Sequence, residues 1–165
     1  DGKNLQARYN MSWAAHLGGW VAMATAGPAT MGHCLAEALG SKYRIPHGAM
    51  CGICLPYAME FNLPAIIQRL ANVASAMGED VIGVRPRDTA ESAVRGVVEL
   101  MKDTDVPVSL KSFNVPKKDI PRLADYVVKE RQHMYTLPKV HPKKLTIENV
   151  TELLENIWEG KLERI

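Results

Sequence analysis

The sequence predicts an all-α fold, a bundle of about six or seven helices. Three observations predict it. Apolar residues recur at spacings of three and four along most of the 165-residue chain. Glycine and proline fall mostly between those runs, where they punctuate. Convincing period-two alternation is absent, apart from a short extended piece expected near Val106–Phe113.

The first segment, Leu5 to Ala26, carries Met11, Ala14, Ala15, Leu17, Trp20, Val21 and Ala24 at helical spacing and is expected to be a buried helix. Gly27-Pro28 ends it, and a second helix is expected over Ala29–Leu39, stopped by Gly40. Ile45-Pro46-His47-Gly48 reads as a loop entering a third helix, Ala49–Asn62, which Pro56 should kink or split. Pro64 opens the next, Ala65–Met77, with Gly78 as its stop. After a loop over Glu79–Arg87, Asp88 and Glu91 suit a reciprocal helix cap. Ala90, Ala93, Val94, Val97, Val98 and Met101 then form one apolar stripe. Asp119 with Pro121 starts a further helix. The last runs from Ile147 to Trp158, with Val150, Leu153, Leu154 and Ile157 facing inward.

Composition narrows the function classes. Apolar residues make up 47% and charged residues 23%, which excludes a disordered chain. A net charge of +2 gives no field that would gather nucleic acid. The basic cluster Lys139-Val-His-Pro-Lys143-Lys144 lacks interleaved aromatics and reads as a solvated loop. The three cysteines, Cys34, Cys51 and Cys54, are an odd number confined to one apolar third, so a reducing cytoplasm is expected. No membrane span or signal peptide is expected, and no nucleotide-cradling glycine motif occurs. Residue 1 leads directly into a helical pattern, as a mature terminus or a fragment boundary would.

His33 and His47 are the candidate metal ligands. They stand fourteen apart, one within a helix and one in a Pro-His-Gly loop. A helical hairpin of this size can bring two imidazoles to one point of a bundle. Two histidines do not close a site, since a divalent ion takes four ligands, or three and an open position. Each His alone is as readily a hydrogen-bonded core or loop residue. Glu37 follows His33 by four and shares its helix face. It is either a carboxylate that orients a ligating imidazole or a surface residue near Lys42 or Arg44. Cys51-Gly-Ile-Cys54 reads chiefly as apolar packing. A mixed Cys/His zinc site with His33 and His47 stays open.

Three stretches taken together carry a resemblance: Gly32-His33-Cys-Leu-Ala-Glu-Ala-Leu39-Gly40, Ile45-Pro46-His47-Gly48 and Leu55-Pro56-Tyr-Ala-Met59-Glu-Phe61-Asn62. In order and spacing they resemble the helix–loop–helix around the metal of the iron-containing (group III) alcohol dehydrogenase family. Val115-Pro-Lys-Lys-Asp119-Ile-Pro121-Arg-Leu-Ala124 resembles the segment before that family's last helices, so the likeness extends over essentially the whole chain.

The resemblance implies an N-terminal Rossmann-like domain that binds NAD or NADP and a C-terminal all-helical domain of the dehydroquinate synthase-like kind. The helical domain holds one divalent metal, usually iron(II) and sometimes zinc(II), through one Asp and three His. The last two His fall on His33 and His47, while the Asp and first His belong to a motif upstream of residue 1. Residues 1–165 are then the metal-binding domain without its nucleotide-binding partner, holding metal weakly and catalysing nothing alone. Glu37 stands where the family usually has a further His, which leaves open whether it orients a ligating imidazole or relays a proton. Tyr57 stands at another common family His. The implied reaction is hydride transfer between a small alcohol or aldehyde and NAD(P), with the metal as Lewis acid. The expected partners are the N-terminal half of the same polypeptide and further copies in a homo-oligomer, with neither nucleic acid nor membrane. Two other readings stay open: a polyol dehydrogenase or other dehydroquinate synthase-like enzyme, and a non-enzymatic helical module with a Cys/His zinc site.

Overall fold

In the computed structural model the described residues are 2–24, 31–134 and 141–163, and every regular element among them is helical. The α-helices are α1 (Leu5–Ala24), α2 (Met31–Tyr43), α3 (His47–Asn62), α4 (Ile67–Ala76), α5 (Pro86–Asp103), α6 (Ile120–Tyr126) and α7 (Ile147–Glu159). From α6 the chain runs on through a π-helical stretch, Val127–Arg131, and a last α turn, Gln132–Met134. The larger core joins α2, α3, α6 and α7 around Leu35, Leu39, Ile53, Tyr57, Ile120 and Leu154. A smaller one joins α4 and α5 to the end of α3 through Leu63, Leu70, Ala90 and Val94. No helix among the described residues is long and apolar enough to cross a membrane.

The first helix forms but is not buried. Asn4 caps it, its Oδ1 accepting from the Ala7 amide at 3.0 Å. Yet Tyr9, Met11, Trp13, Leu17 and Trp20 are all exposed, Trp20 at 68%. Periodicity is a local property and makes the helix. Burial needs a neighbour, and no other described element covers this one. Among the described residues its aromatic rings meet only along the helix itself, Trp13 edge-on to Tyr9 and His16. The Gly27-Pro28 break and the expected start at Ala29 lie outside the described residues, as do Lys139 and Val140.

The α2–α3 turn also departs from expectation. Gly40 is a buried residue inside α2, and the helix ends three residues later. The left-handed residue that reverses the chain is Arg44, at φ 55°. The Ile45 amide reaches back to the Gly40 carbonyl at 3.1 Å, which makes a Schellman-type end with Arg44 as its turn residue. Glycine at 40 serves close approach: an added Cβ would lie 3.3 Å from the Ile45 carbonyl oxygen and 3.6 Å from Met50 Cγ. The loop thus lies flat against α2. Helix α3 begins at His47, directly after Pro46, so His47 belongs to its first turn. Pro56 does not split α3, which runs through it from His47 to Asn62.

Smaller corrections have local causes. Pro86 starts α5 with its preset φ. Asp88 pairs with Arg85 at 2.7 Å and caps no backbone amide. Ser109, expected in an extended piece, donates to the Trp158 carbonyl at 2.6 Å and caps the 3-10 turn Leu110–Phe113. Lys143 is half-buried, its Nζ 3.9 Å from the Phe61 ring centroid and donating to the Phe61 carbonyl at 3.0 Å. Its stem covers apolar surface where a solvated loop was expected.

One tie fixes α2 to the start of α6. Asp119 Oδ2 accepts from Lys42 Nζ at 2.7 Å and from the Tyr43 hydroxyl at 2.6 Å. The Lys42 hydrogen bond first, and the Tyr43 hydroxyl second, hold the Asp119 carboxyl below its ordinary value. A lowered carboxyl contributes stability that is present above its unfolded-state value and lost as pH falls through its folded one. Asp119→Asn is therefore expected to melt below the parent at neutral pH. The gap should close as pH falls below about 3.9. A gap that stays constant from pH 7 to acid would refute the assignment.

Candidate metal centre

The site grows out of the α2–α3 hairpin. On α2, His33, Glu37 and Gly40 stand in one i, i+4, i+7 row. Glycine in the last position lets the loop lie against that row, which carries His47 back over α2. The result is an approach of the two rings: His33 and His47 lie with centroids 5.2 Å apart. Both residues are exposed, and His47 lines an open depression together with Ala36, Glu37, Gly40, Ile45 and Arg131.

Cys51 joins them. It follows His47 by four on α3, one turn along the same face, and its Sγ lies 3.4 Å from His47 Nε2. One donor atom from each of His33, His47 and Cys51 falls within 4.8 Å of the others, and no further His, Cys, Asp or Glu among the described residues joins this group. The spacing suits a single ion. With metal–nitrogen and metal–sulfur bonds of about 2.0 and 2.3 Å, a tetrahedral N–S edge is about 3.5 Å. Imidazole and thiolate donors suit zinc(II), and imidazole also suits iron(II). Because both His are exposed, an ion held there keeps coordination positions that no described residue fills.

The other two thiols stand apart from this group. Cys34 and Cys54 are buried in the core, and all three cysteines are free of disulfides. Burial pushes the Cys34 thiol up to about 12 and drives Cys54 up as well. Packing thus describes Cys54, but half-buried Cys51 points elsewhere. Its thiol is also raised, by burial first and then by the charge of Glu37.

Glu37 pairs with Arg131, at 3.4 Å between Oε2 and a guanidinium nitrogen. Both residues of the pair line the depression. Tyr57 sits deep in the core, its hydroxyl donating to the Val108 carbonyl at 2.6 Å. Sequence reading favoured packing for Cys51 and kept a mixed Cys/His site only as an alternative, because it framed Cys51 with Cys54 and not with His47. Recognising Pro46 as the residue before a helix start would have put His47 and Cys51 on one face. Arg131 had no signal, since its contact with Glu37 is made across the fold.

Comparison with known proteins agrees with this architecture. The family model described as the C-terminal part of the Fe-containing alcohol dehydrogenase family matches residues 1–158. The chain is 35% identical over 131 residues to 1,3-propanediol dehydrogenase of Klebsiella pneumoniae, covering 78% of this chain and 33% of that protein. It is 30% identical over 126 residues to lactaldehyde reductase of Escherichia coli K12, covering 76% of this chain and 32% of that protein. Among solved structures, an alcohol dehydrogenase from Oenococcus oeni superposes with a TM-score of 0.85 at 32% identity, over 96% of this chain and 39% of that one. The chain thus spans about a third of the length of the curated relatives it matches.

Proposed function

The chain belongs to the iron-containing alcohol dehydrogenase family, and from that premise we propose that it is the helical, metal-holding part of an enzyme that moves hydride between a small alcohol or aldehyde and NAD(P). The observation that carries this reading is the approach of His33 and His47, with ring centroids 5.2 Å apart at an exposed edge. These two imidazoles are half of the one-Asp, three-His set that the family resemblance implies. The other two donors come from polypeptide outside residues 1–165. When bound, an iron(II) or zinc(II) ion supplies Lewis acidity toward an alcohol or aldehyde oxygen, while the nicotinamide takes or returns the hydride.

This chain's own residues bind and shape. His33 and His47 hold the ion from two helices whose shared core fixes their separation. Glu37 acts through its pair with Arg131, setting the charge of the wall beside His47. The exposed face of α1, with Tyr9, Trp13, Leu17 and Trp20, is the surface that the N-terminal half of the same polypeptide covers. The whole enzyme works as a homo-oligomer in a reducing cytoplasm, in keeping with three free thiols. The substrate class follows the relatives, whose names specify 1,3-propanediol and lactaldehyde.

The test has two arms. Anaerobic equilibrium dialysis of this chain against iron(II) or zinc(II) should retain a single ion. NAD(P) reduction with 1,3-propanediol should be absent from this chain alone and present once the polypeptide is extended to the relatives' length. A chain that retains no ion, or an extended one that transfers no hydride to any small alcohol, overturns the proposal.

A further inference from the structure

Three features are left over by the proposed function. The exposed stripe of α1 belongs to the contact surface already described. In the depression around Glu60, Lys143 and Glu163 the polar groups are already engaged, Lys143 Nζ with the Phe61 carbonyl and the Glu60 carboxylate with the Glu163 amide. Cys51 is the third, and it stands beside the site with nothing yet to do.

We propose that the Cys51 thiolate is the third protein ligand to the ion, so that this chain binds through a His2Cys set and its site favours zinc(II) over iron(II). The inference rests on the metal-binding reading of His33 and His47. It adds a soft donor that the one-Asp, three-His set does not contain.

Three independent observations carry it. The first is position: His47 and Cys51 occupy i and i+4 at the start of α3, a spacing that points two side chains at one place. The second is distance: Sγ to Nε2 is 3.4 Å, close to the tetrahedral edge of about 3.5 Å, with His33 completing a triangle of donors no wider than 4.8 Å. The third is selectivity among the thiols. Cys34 and Cys54 are buried at 0% exposure and cannot reach an ion at the surface, whereas Cys51 opens onto it.

The chemistry is balanced. On binding, the thiol proton leaves to solvent and the Sγ lone pair forms the metal–sulfur bond, with no oxidant or reductant involved. A coordinated thiol is deprotonated outright by a dication. Thiolate is a soft ligand and moves preference toward zinc(II) among divalent ions. Within this chain the three donors leave the remaining coordination positions to groups from outside residues 1–165.

Cobalt(II) is the probe, because a thiolate ligand to it produces a sulfur-to-metal charge-transfer band in the near ultraviolet that imidazole does not. The full chain loaded with cobalt(II) is expected to show the band. Cys51→Ser should abolish it and weaken cobalt(II) and zinc(II) binding on the order of 100-fold, one donor's share of a four-ligand site. Circular dichroism verifies that this variant is folded. An independent measurement needs no variant at all: zinc(II) should protect Cys51 from alkylation in the parent chain, read by peptide mass spectrometry. Cobalt(II) bound without the band, and with unchanged affinity in Cys51→Ser, overturns this inference and leaves the two-histidine reading standing. A His33→Ala chain that binds as the parent does overturns both.

Discussion

Alanine at His33 or at His47 is expected to weaken zinc(II) or iron(II) binding by about 100- to 1000-fold while leaving the metal-free fold intact. The magnitude comes from dividing the roughly 10–16 kcal/mol of a four-ligand zinc site among its donors, about 3–4 kcal/mol each. The second half of the expectation comes from burial. Both histidines are exposed, so truncation opens no cavity. Among the described residues His33 has only ring contact with His47, and the hydrogen bond of the His47 ring is to Cys51. The metal-free variants should therefore stay within about 0.5 kcal/mol of the parent. Linkage makes this visible in one instrument. An ion present at 100 times its dissociation constant stabilises the parent by about 2.7 kcal/mol, and the variants should lose most of that increment. Affinities within a few-fold of the parent in both variants would remove His33 and His47 from the site.

How much of this was legible in sequence divides along local and non-local causes. Helix content was legible, because the stripes of α5 and α7 repeat within a few residues and their inner members, from Ala90 and Val94 to Val150 and Leu154, are buried. The nearness of His33 and His47 was an inference from a hairpin of fourteen residues, and the rings do stand together. What the turn was made of escaped, since Gly40 looks like a helix stop when read alone. Its actual constraint is the Ile45 carbonyl, which only the folded loop brings near. The exposure of α1 escaped for the reverse reason. A sequence with Trp13, Leu17 and Trp20 on it records that these residues want cover, and not whether cover lies within the same 165 residues. Cys51 fell between these cases. Its relation to His47 is local, yet it depends on α3 starting two residues earlier than the expected Ala49. Arg131 against Glu37 and Lys143 against Phe61 are long-range pairs with no pattern in the chain.

The scaffold and the ion site should fail separately, and Leu154→Ala is the change that shows it. Leu154 has 0% exposure and sits on α7, where that helix packs against α3 and α6 in the larger core. Truncation removes three carbon groups, worth about 0.8 kcal/mol each in transfer. A cavity term adds to this, because close-packed neighbours such as Leu154's relax only partly, for a total of about 3–5 kcal/mol. In urea the midpoint should drop with an unchanged slope, the mark of lost stability without a change in the surface exposed. Leu100, on α5 but 56% exposed, supplies the control. Leu100→Ala should move the midpoint by no more than about 0.5 kcal/mol. Well below its melting temperature, Leu154→Ala should still bind zinc(II) with the parent's affinity, because α7 contributes no member of the His33, His47 and Cys51 group. The reverse pattern belongs to His33→Ala. If Leu154→Ala loses the ion while still folded, the α2–α3 hairpin is not rigid enough to hold His33 and His47 together by itself.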